Sequence, residues 1–562
     1  MGERRIVIVG GVAGGMSAAA RLRRLDERAT ITVLERGPHV SFANCGLPYY
    51  VGGEIADEAS LVLQTPESLR SAFNLDVRVR HEAVGLDAAA RTVRVRADGR
   101  EFDLPYDELI LSPGAVAARP PVDGLDHPRV NTLRTIDDAV ALRGLADPGA
   151  AAVVLGAGFI GVEAAESLRA RGLEVAVVEL ADQVLPPLER ELAWLVGEEL
   201  RRLGVEVRTG VAARAVSDSE GRAVVHLSDG GTLPADLVVL SVGVRPDTAA
   251  FEAAGVACER GAIVVDEHGR TNLSHVWAVG DATLSRDAVT DARRPVALAG
   301  PANRAGRLVA DAIASSAPRA VPRPLGTAIV RVGELAVAMT GANRAGLEAA
   351  GRPFTTIHVH PVQHAGWFPG AKQLHLVVHL DPKTGALLGA QGAGPDGVDK
   401  RIDVIATAIR AGLSAPDLAD LDLCYSPPYG SARDAVTMVG LVADNVVTGQ
   451  LRLWQSGDLD RARREDFLLD VRTPAEFATG HLPGAVNIPH TQLRGRVDEV
   501  RESAGERQVA VLCQSGVRSY IAHRVLTAAG IRSASLSGGM LTLRAWLGEA
   551  AAETFQTVEG ER

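Results

Sequence analysis

Apolar and polar positions along this chain fall into short blocks, and one arrangement of them occurs twice. Ile6–Gly10 is an apolar run too short for a helix and closed by a Gly-rich turn, which predicts a buried strand. A helical stretch, Ser17–Leu25, follows it, and Ile31–Glu35 predicts the next strand, ending in an acid. The same order returns at Ala152–Leu155, with a turn Gly156-Ala-Gly-Phe-Ile-Gly161, a helix to about Arg171 and a strand Val175–Glu179. Self-similarity on this scale predicts one structural unit used twice. Between roughly 320 and 445 strands and helices alternate without such a turn, which predicts a different domain. A polar stretch, Gln455–Glu465, then leads into Phe467-Leu-Leu-Asp470 and a last small α/β segment.

Length and composition narrow this picture. At 562 residues the chain is too long for one core and implies three or four domains. Apolar residues at 46% and charged residues at 23% fit a folded protein rather than a disordered one. The formal charge of −10 argues against broad binding to nucleic acid or anionic membranes. No apolar run approaches the roughly 18–20 residues of a membrane helix, and the first strand follows the N-terminus without a signal-peptide pattern. The four cysteines, Cys45, Cys258, Cys424 and Cys513, lie far apart with no zinc spacing. A cytoplasmic protein with reduced thiols is the expectation. His358, His360 and His364 are expected on a strand and its loop rather than around a metal.

The repeated unit carries a nucleotide signal. In the second copy Gly156 permits the tight turn, Gly158 lets a pyrophosphate approach the backbone, and Gly161 allows close helix–strand packing; Ile160 lies between them. The following helix N-terminus supplies free amides to phosphate. Glu179, 18 residues after Gly161, would accept from a ribose 2′-hydroxyl and repel a 2′-phosphate, so NADH is expected over NADPH. The first copy, Gly10-Gly-Val-Ala-Gly-Gly15, has Val12 where the middle glycine belongs, and its acid, Glu35, stands 20 residues beyond Gly15. A lone glycine fingerprint is weak, but two, each with strand, helix and acid, support two nucleotides.

Three further segments carry a family resemblance. Thr271–Asp281 is an apolar strand ending in Gly280-Asp281, and Leu111-Ser-Pro-Gly-Ala115 and Ser241-Val-Gly-Val-Arg-Pro246 are short turns. Over about residues 5–320 the chain resembles the two-dinucleotide flavoprotein disulfide reductases. The resemblance implies FAD in the first site, with Asp281 on the ribityl chain and Gly10, Val12, Ala13, Gly14, Gly15, Glu35, Arg36, Asn44, Ser112 and Gly114 around it. Gly243 belongs with the nicotinamide-side residues.

Ser41-Phe-Ala-Asn-Cys45-Gly-Leu-Pro-Tyr49 follows the first acid closely, which puts Cys45 near the flavin. With one cysteine here, the second sulfur must come from a substrate or, as a sulfenic acid, from oxygen. The block closely resembles coenzyme A disulfide reductases and their NADH-dependent persulfide reductase relatives. Single-cysteine NADH oxidases and peroxidases share much of it but carry a His where this chain has Ala13, a departure that favours a sulfur substrate. The resemblance implies that Ser17, Arg21, Arg24, Ser41, Asn44, Asn303, Arg307 and Arg433 contact coenzyme A, with Arg70 standing in for a lysine some relatives use. Arginines suit its phosphates because they donate in pairs. Tyr425-Ser-Pro-Pro-Tyr429-Gly-Ser-Ala-Arg433-Asp resembles the loop of the dimerisation domain that reaches the partner's active site, with Tyr425 at the substrate sulfur. A second family tyrosine is replaced by Trp367, which shifts weight towards a smaller persulfide or polysulfide.

Phe467-Leu-Leu-Asp470-Val-Arg-Thr-Pro-Ala-Glu476-Phe and Gly480-His-Leu-Pro-Gly484-Ala-Val-Asn-Ile-Pro489 resemble the rhodanese fold. In Val509-Ala-Val-Leu-Cys513-Gln-Ser-Gly-Val-Arg518-Ser519 a strand delivers Cys513 into a short loop before a helix. Successive loop amides, the helix dipole and Arg518 are expected to stabilise a thiolate or persulfide there. The expected fold class is α/β: two Rossmann-like domains, an α+β dimerisation domain and an α/β rhodanese domain. The expected boundaries are 1–115 with 245–320 for FAD, 116–244 for NADH, 321–449 for dimerisation and 450–562 for the rhodanese domain. The expected catalytic residues are Cys45, Cys513, Tyr425 and Arg518 in a C2 homodimer acting on a small thiol or persulfide, without metal or membrane. The competing expectations are an NADH oxidase or peroxidase and a sulfur-trafficking redox sensor of low turnover.

Overall fold

The structure, a computed structural model, describes residues 4–557. They form two compact units: residues up to 182 with Leu203–Gly326, and Gln183–Arg202 with the residues from Thr327 onward.

In the first unit each copy of the repeat builds a five-stranded parallel sheet. One runs Val276–Ala278, Glu108–Leu111, Arg5–Val9, Thr30–Glu35, Asp76–Val79. The other runs Val130–Asn131, Leu237–Leu240, Ala151–Leu155, Glu174–Val178, Glu206–Arg208. Both first strands are buried on both faces, which explains their uninterrupted apolar sequence. The helices Ala13–Leu25 and Phe159–Ala170 begin inside the glycine turns, the first four residues earlier than its side-chain pattern suggests. Those early residues are Ala, Gly, Gly and Met, too few apolar side chains to show a period.

Glycine is required here by close approach rather than by flexibility. A Cβ on Gly15 would fall on the Gly10 carbonyl, and one on Gly161 on the Gly156 carbonyl, so each helix packs directly on its own turn. A Cβ on Gly306, in the helix Ala299–Ala314, would likewise fall on the Gly14 carbonyl. The helices Ala13–Leu25 and Ala299–Ala314 therefore lie against each other backbone to backbone. The two turns expected to cross between the nucleotide modules pair as antiparallel strands, Val244–Pro246 with Ala115–Ala117.

The second unit holds a five-stranded antiparallel sheet, ordered Ala328–Val332, Leu335–Gly341, Leu387–Gly394, His375–Leu380, Thr355–Val359. The apolar faces of the helices Val398–Ala411 and Ala435–Val447 cover it. It also holds a parallel sheet ordered Leu453–Trp454, Ser533–Leu536, Val509–Leu512, Phe467–Asp470, Val486–Asn487. The polar stretch Gln455–Glu465 forms a short turn and the helix Leu459–Glu465, whose Leu459 and Ala462 are buried beside Trp454.

The helix contact yields a direct test. Gly306→Ala should lower the melting temperature by several degrees, because overpacking a backbone contact costs about 1–3 kcal/mol. Gly300→Ala in the same helix, where a Cβ meets nothing within 4 Å, should leave it unchanged. Equal melting temperatures for the two variants would show that the close approach carries no weight.

Candidate active site

Each nucleotide turn is tied to the end of its second strand by a carboxylate. Glu35 accepts from the Gly11 and Gly37 amides, both at 2.8 Å. Glu179 accepts from the Ala157 amide at 2.6 Å and the Ala181 amide at 2.8 Å. Val12 and Gly158 are the N-caps of the two helices, and neither cap is closed by a side chain. The first-turn amides, including those of Ala13 and Gly14, are thus available to an anion. A Cβ on Gly158 would meet nothing within 4 Å, the room a pyrophosphate needs. Ile160 sits in the first turn of that helix, and Gly114 and Gly243 lie in the two crossing turns. Ser112 lies against Gly14 and Gly280, so the first turn and the Gly280-Asp281 turn converge. These residues fit two dinucleotides. Arg36, expected on the nucleotide, pairs instead with Asp247.

Cys45 stands in a single turn, Asn44–Gly46, directly before the helix Leu47–Gly52. Ser41, which opens the segment, has φ +50°, a left-handed conformation strained for a residue with a Cβ. Its amide donates to the Gly11 carbonyl at 2.8 Å, fastening the cysteine segment to the first glycine turn. The Asn44 amide donates to the Arg134 carbonyl at 2.8 Å, so that group of Asn44 positions the loop. Cys45 is exposed on one side. Its thiol is nonetheless pushed up, first by burial, then by the charges of Glu163 and Asp281, against the pull of Arg134. Asp281 is itself raised by burial and drawn back by Arg134. Tyr49 donates to Glu163 at 3.2 Å, holding that carboxylate toward the cysteine segment. Neither Glu163 nor Arg134 was picked out from the sequence, since each lies far along the chain from Cys45 and in no motif.

Ser17, Arg21, Arg24, Asn303 and Arg307 come together along the seam of the two close-packed helices. Ser17 donates to Asn303 at 2.8 Å. Arg21 is committed to Asp311 at 2.6 Å, which reduces its value for phosphate. Arg24 and Arg307 are exposed and, among the described residues, unpaired. Arg70 is exposed, 3.9 Å from Asp76. Tyr425 and Arg433 belong to the second unit and are exposed in one loop. Trp367 and Tyr429 are 75% and 74% exposed there, and the Ala365 amide donates to the Pro427 carbonyl at 3.4 Å, joining their two loops. His358 lies on the strand Thr355–Val359, with His360 and His364 just beyond it. His360 and His375 hydrogen-bond through Nδ1 at 2.9 Å, and no cluster among the described residues has the make-up of a metal site.

Cys513 follows the strand Val509–Leu512 and is 1% exposed. One loop amide, that of Gly516, reaches its sulfur at 3.2 Å, rather than a succession of them. The turn Gly538–Met540 occupies the other side of the loop: the Met540 amide donates to the Cys513 carbonyl at 2.8 Å and Leu541 to Gln514 at 3.0 Å. Arg518 lies within electrostatic reach of Cys513 but is engaged by a carboxylate. Both of its terminal nitrogens bind Glu476, at 2.7 and 2.6 Å, and this pairing holds the Glu476 carboxyl at about 2.

Comparison with known proteins agrees with this architecture. The pyridine nucleotide-disulphide oxidoreductase pattern matches residues 4–306, and the chain belongs to that family. The family's dimerisation domain matches residues 327–436 and a rhodanese-like domain matches 455–545. The domain order is that of the coenzyme A disulfide reductase–rhodanese fusions. The coenzyme A disulfide reductase of Staphylococcus haemolyticus is 32% identical over 445 residues, 78% of this chain and 99% of that protein. The crystal structure of reduced Bacillus anthracis CoADR-RHD superposes with TM-score 0.94 at 40% identity, covering 99% of both chains. A NAD-dependent persulfide reductase from A. fulgidus superposes with TM-score 0.88 at 35% identity, covering 96% of this chain and 99% of that one. The family implies FAD and a nicotinamide nucleotide. No helix among the described residues is long and apolar enough to cross a membrane.

The surroundings of Cys45 set a test. Glu163→Gln removes a negative charge that opposes the thiolate, so alkylation of reduced Cys45 by iodoacetamide should reach half-maximal rate at lower pH than in the wild type. Arg134→Ala should move it to higher pH. A profile identical in all three proteins would remove both groups from the site.

Proposed function

We propose that the chain reduces coenzyme A persulfide, coenzyme A disulfide or polysulfide through Cys45, and that Cys513 carries sulfane sulfur. The observation that carries this reading is a lone cysteine in an exposed turn, fastened to the first nucleotide turn and with no second cysteine in its segment. The Cys45 thiolate attacks the sulfur attached to the R group of R–S–S–H; the S–S bond breaks, hydrosulfide leaves, and a Cys45–R mixed disulfide remains. The residues of the first nucleotide turn and Asp281 would hold FAD, which would supply the electron pair, drawn from the nicotinamide nucleotide, that cleaves this disulfide. Glu163, Asp281 and Arg134 set the protonation of Cys45, while Ser41 and Asn44 fix its loop.

Arg24 and Arg307 offer guanidinium groups to the phosphates of coenzyme A along the helix seam. The active form is proposed to be a C2 homodimer in which Tyr425 and Arg433 complete the partner's site. The matched dimerisation domain and the exposed aromatic loops support this. NADH is preferred to NADPH because the Glu179 carboxylate closes the strand end where the ribose would lie, and the next residue, Leu180, is apolar and 73% exposed.

NADH oxidation measured side by side with coenzyme A persulfide, coenzyme A disulfide, polysulfide and oxygen tests the reaction. The wild type should consume NADH with the sulfur compounds and only slowly with oxygen, and Cys45→Ser should lose at least about a hundredfold of the sulfur-dependent rate. Full activity in Cys45→Ser, or oxygen as the best acceptor, overturns the reading. For the nucleotide, kcat/KM with NADH should exceed that with NADPH by at least tenfold, and Glu179→Ala should narrow the ratio. An unchanged ratio would take Glu179 out of nucleotide selection.

A further inference from the structure

The strand Ser533–Leu536 and the residue after it place serines at 533, 535 and 537, alternate positions on one buried face. A hydroxyl inside a sheet costs free energy unless bonded, and each of these has a partner. Ser533 meets His523 Nδ1 at 2.8 Å and Ser537 meets His358 Nδ1 at 2.7 Å. Ser535 donates to Ser519 at 2.8 Å, and Ser519 is itself 3.3 Å from the Cys513 sulfur. Ser519 is fully buried and its single proton points to the Gly516 carbonyl at 3.0 Å. It thereby uses one donor and two acceptor sites, all that a hydroxyl has.

We propose that Ser519 is a positioning residue for Cys513, whose hydroxyl turns from the Gly516 carbonyl to the sulfur when the thiol ionises, with Ser535 holding its oxygen in both states. The thiol form gives its S–H to Ser519. The thiolate has no hydrogen to give and accepts instead from Ser519 and from the Gly516 amide. The turn costs little, because the Gly516 carbonyl keeps the Tyr520 amide at 3.0 Å. Arg518 cannot supply this stabilisation at full strength while Glu476 occupies both its terminal nitrogens. A hydrogen bond given to the charged form favours that form. This inference rests on Cys513 being the sulfur carrier. In that step the thiolate attacks the terminal sulfur of R–S–S–H: a bond forms between the Cys513 sulfur and that sulfur as the S–S bond of R–S–S–H breaks. The transferred sulfur keeps its hydrogen, the leaving RS⁻ takes a proton from solvent, and the flavin exchanges no electrons.

The test is the rate of Cys513 persulfide formation in the full holoenzyme with glutathione persulfide, followed by mass spectrometry of the Cys513 peptide across pH. Ser519→Ala should move the midpoint of the pH profile up by about one unit, a tenfold slower reaction below it. Ser535→Ala should move it less in the same sense, and Ser519→Thr, which keeps the hydroxyl, should restore the wild-type profile. NADH-dependent flavin reduction should be the same in all, showing the reductase half intact. If the wild type takes sulfur on Cys513 and the Ser519→Ala and Ser535→Ala profiles coincide with it, the role of Ser519 is overturned. If the wild type takes none, the sulfur-carrier reading itself fails.

Discussion

The site of the first unit hangs on two carboxylates that each close a glycine turn onto the end of a neighbouring strand. Each oxygen of Glu35 and of Glu179 receives one backbone amide, an anion met by two charge-assisted hydrogen bonds. The bonds fix the direction in which the turn leaves its strand, and therefore where the next helix starts. Because the acid serves amides on either side of the turn, the helix N-termini keep theirs for phosphate. The Cys45 segment inherits this geometry through the Ser41 amide bound to Gly11, the residue Glu35 holds. A loosened clamp would displace nucleotide site and cysteine together.

The second unit depends on buried charge in a comparable way. Glu189 and Glu191, at the start of the helix Arg190–Arg202, are both buried. Glu189 accepts from His379 at 2.9 Å and from the Arg344 amide at 2.8 Å, while His358 bonds Glu191 at 2.7 Å. Burial pushes the Glu191 carboxyl up, but the His358 bond, the His358 charge and Arg344 prevail and leave it at about 2. An anion so held cannot lose either partner without a large penalty. The other nitrogen of His358 meets Ser537, and the next residues form the turn that bonds the Cys513 and Gln514 carbonyls. The Cys513 loop of the rhodanese-like domain is therefore braced by residues of the antiparallel sheet rather than by its own domain alone.

The sequence made the repeated strand–turn–helix–strand order plain because parallel strands buried on both faces are apolar throughout and glycine marks where backbones touch. Cys45, Cys513 and the two acids were legible for the same reason: each sits at a fixed offset from a turn. What escaped was set by distance along the chain. Glu163 and Arg134 reach Cys45 only through folding, and so do Asp311 and Asp247, the ion-pair partners of Arg21 and Arg36. Gln455–Glu465 read only as a polar stretch because its buried positions, Leu459 and Ala462, are too few to outweigh its charges. The pairing of Arg518 with Glu476 joins residues 42 positions apart in sequence.

The two sulfur centres handle negative charge by different means. Around Cys45 the full charges are unbalanced: Glu163 and Asp281 oppose the thiolate and Arg134 alone favours it. That bias suits a cysteine whose charged form should appear only when a cation-bearing ligand or cofactor has changed its surroundings. At Cys513 the nearby full charges of Arg518 and Glu476 cancel, leaving one amide and one hydroxyl as the direct partners of the sulfur. Dipoles that can reorient accommodate a thiolate and a neutral persulfide alike, whereas a fixed cation would favour the thiolate, the charged one of the two. The carrier role proposed for Cys513 requires sulfur to be accepted and given up again, and a site built of dipoles keeps those two states close in free energy.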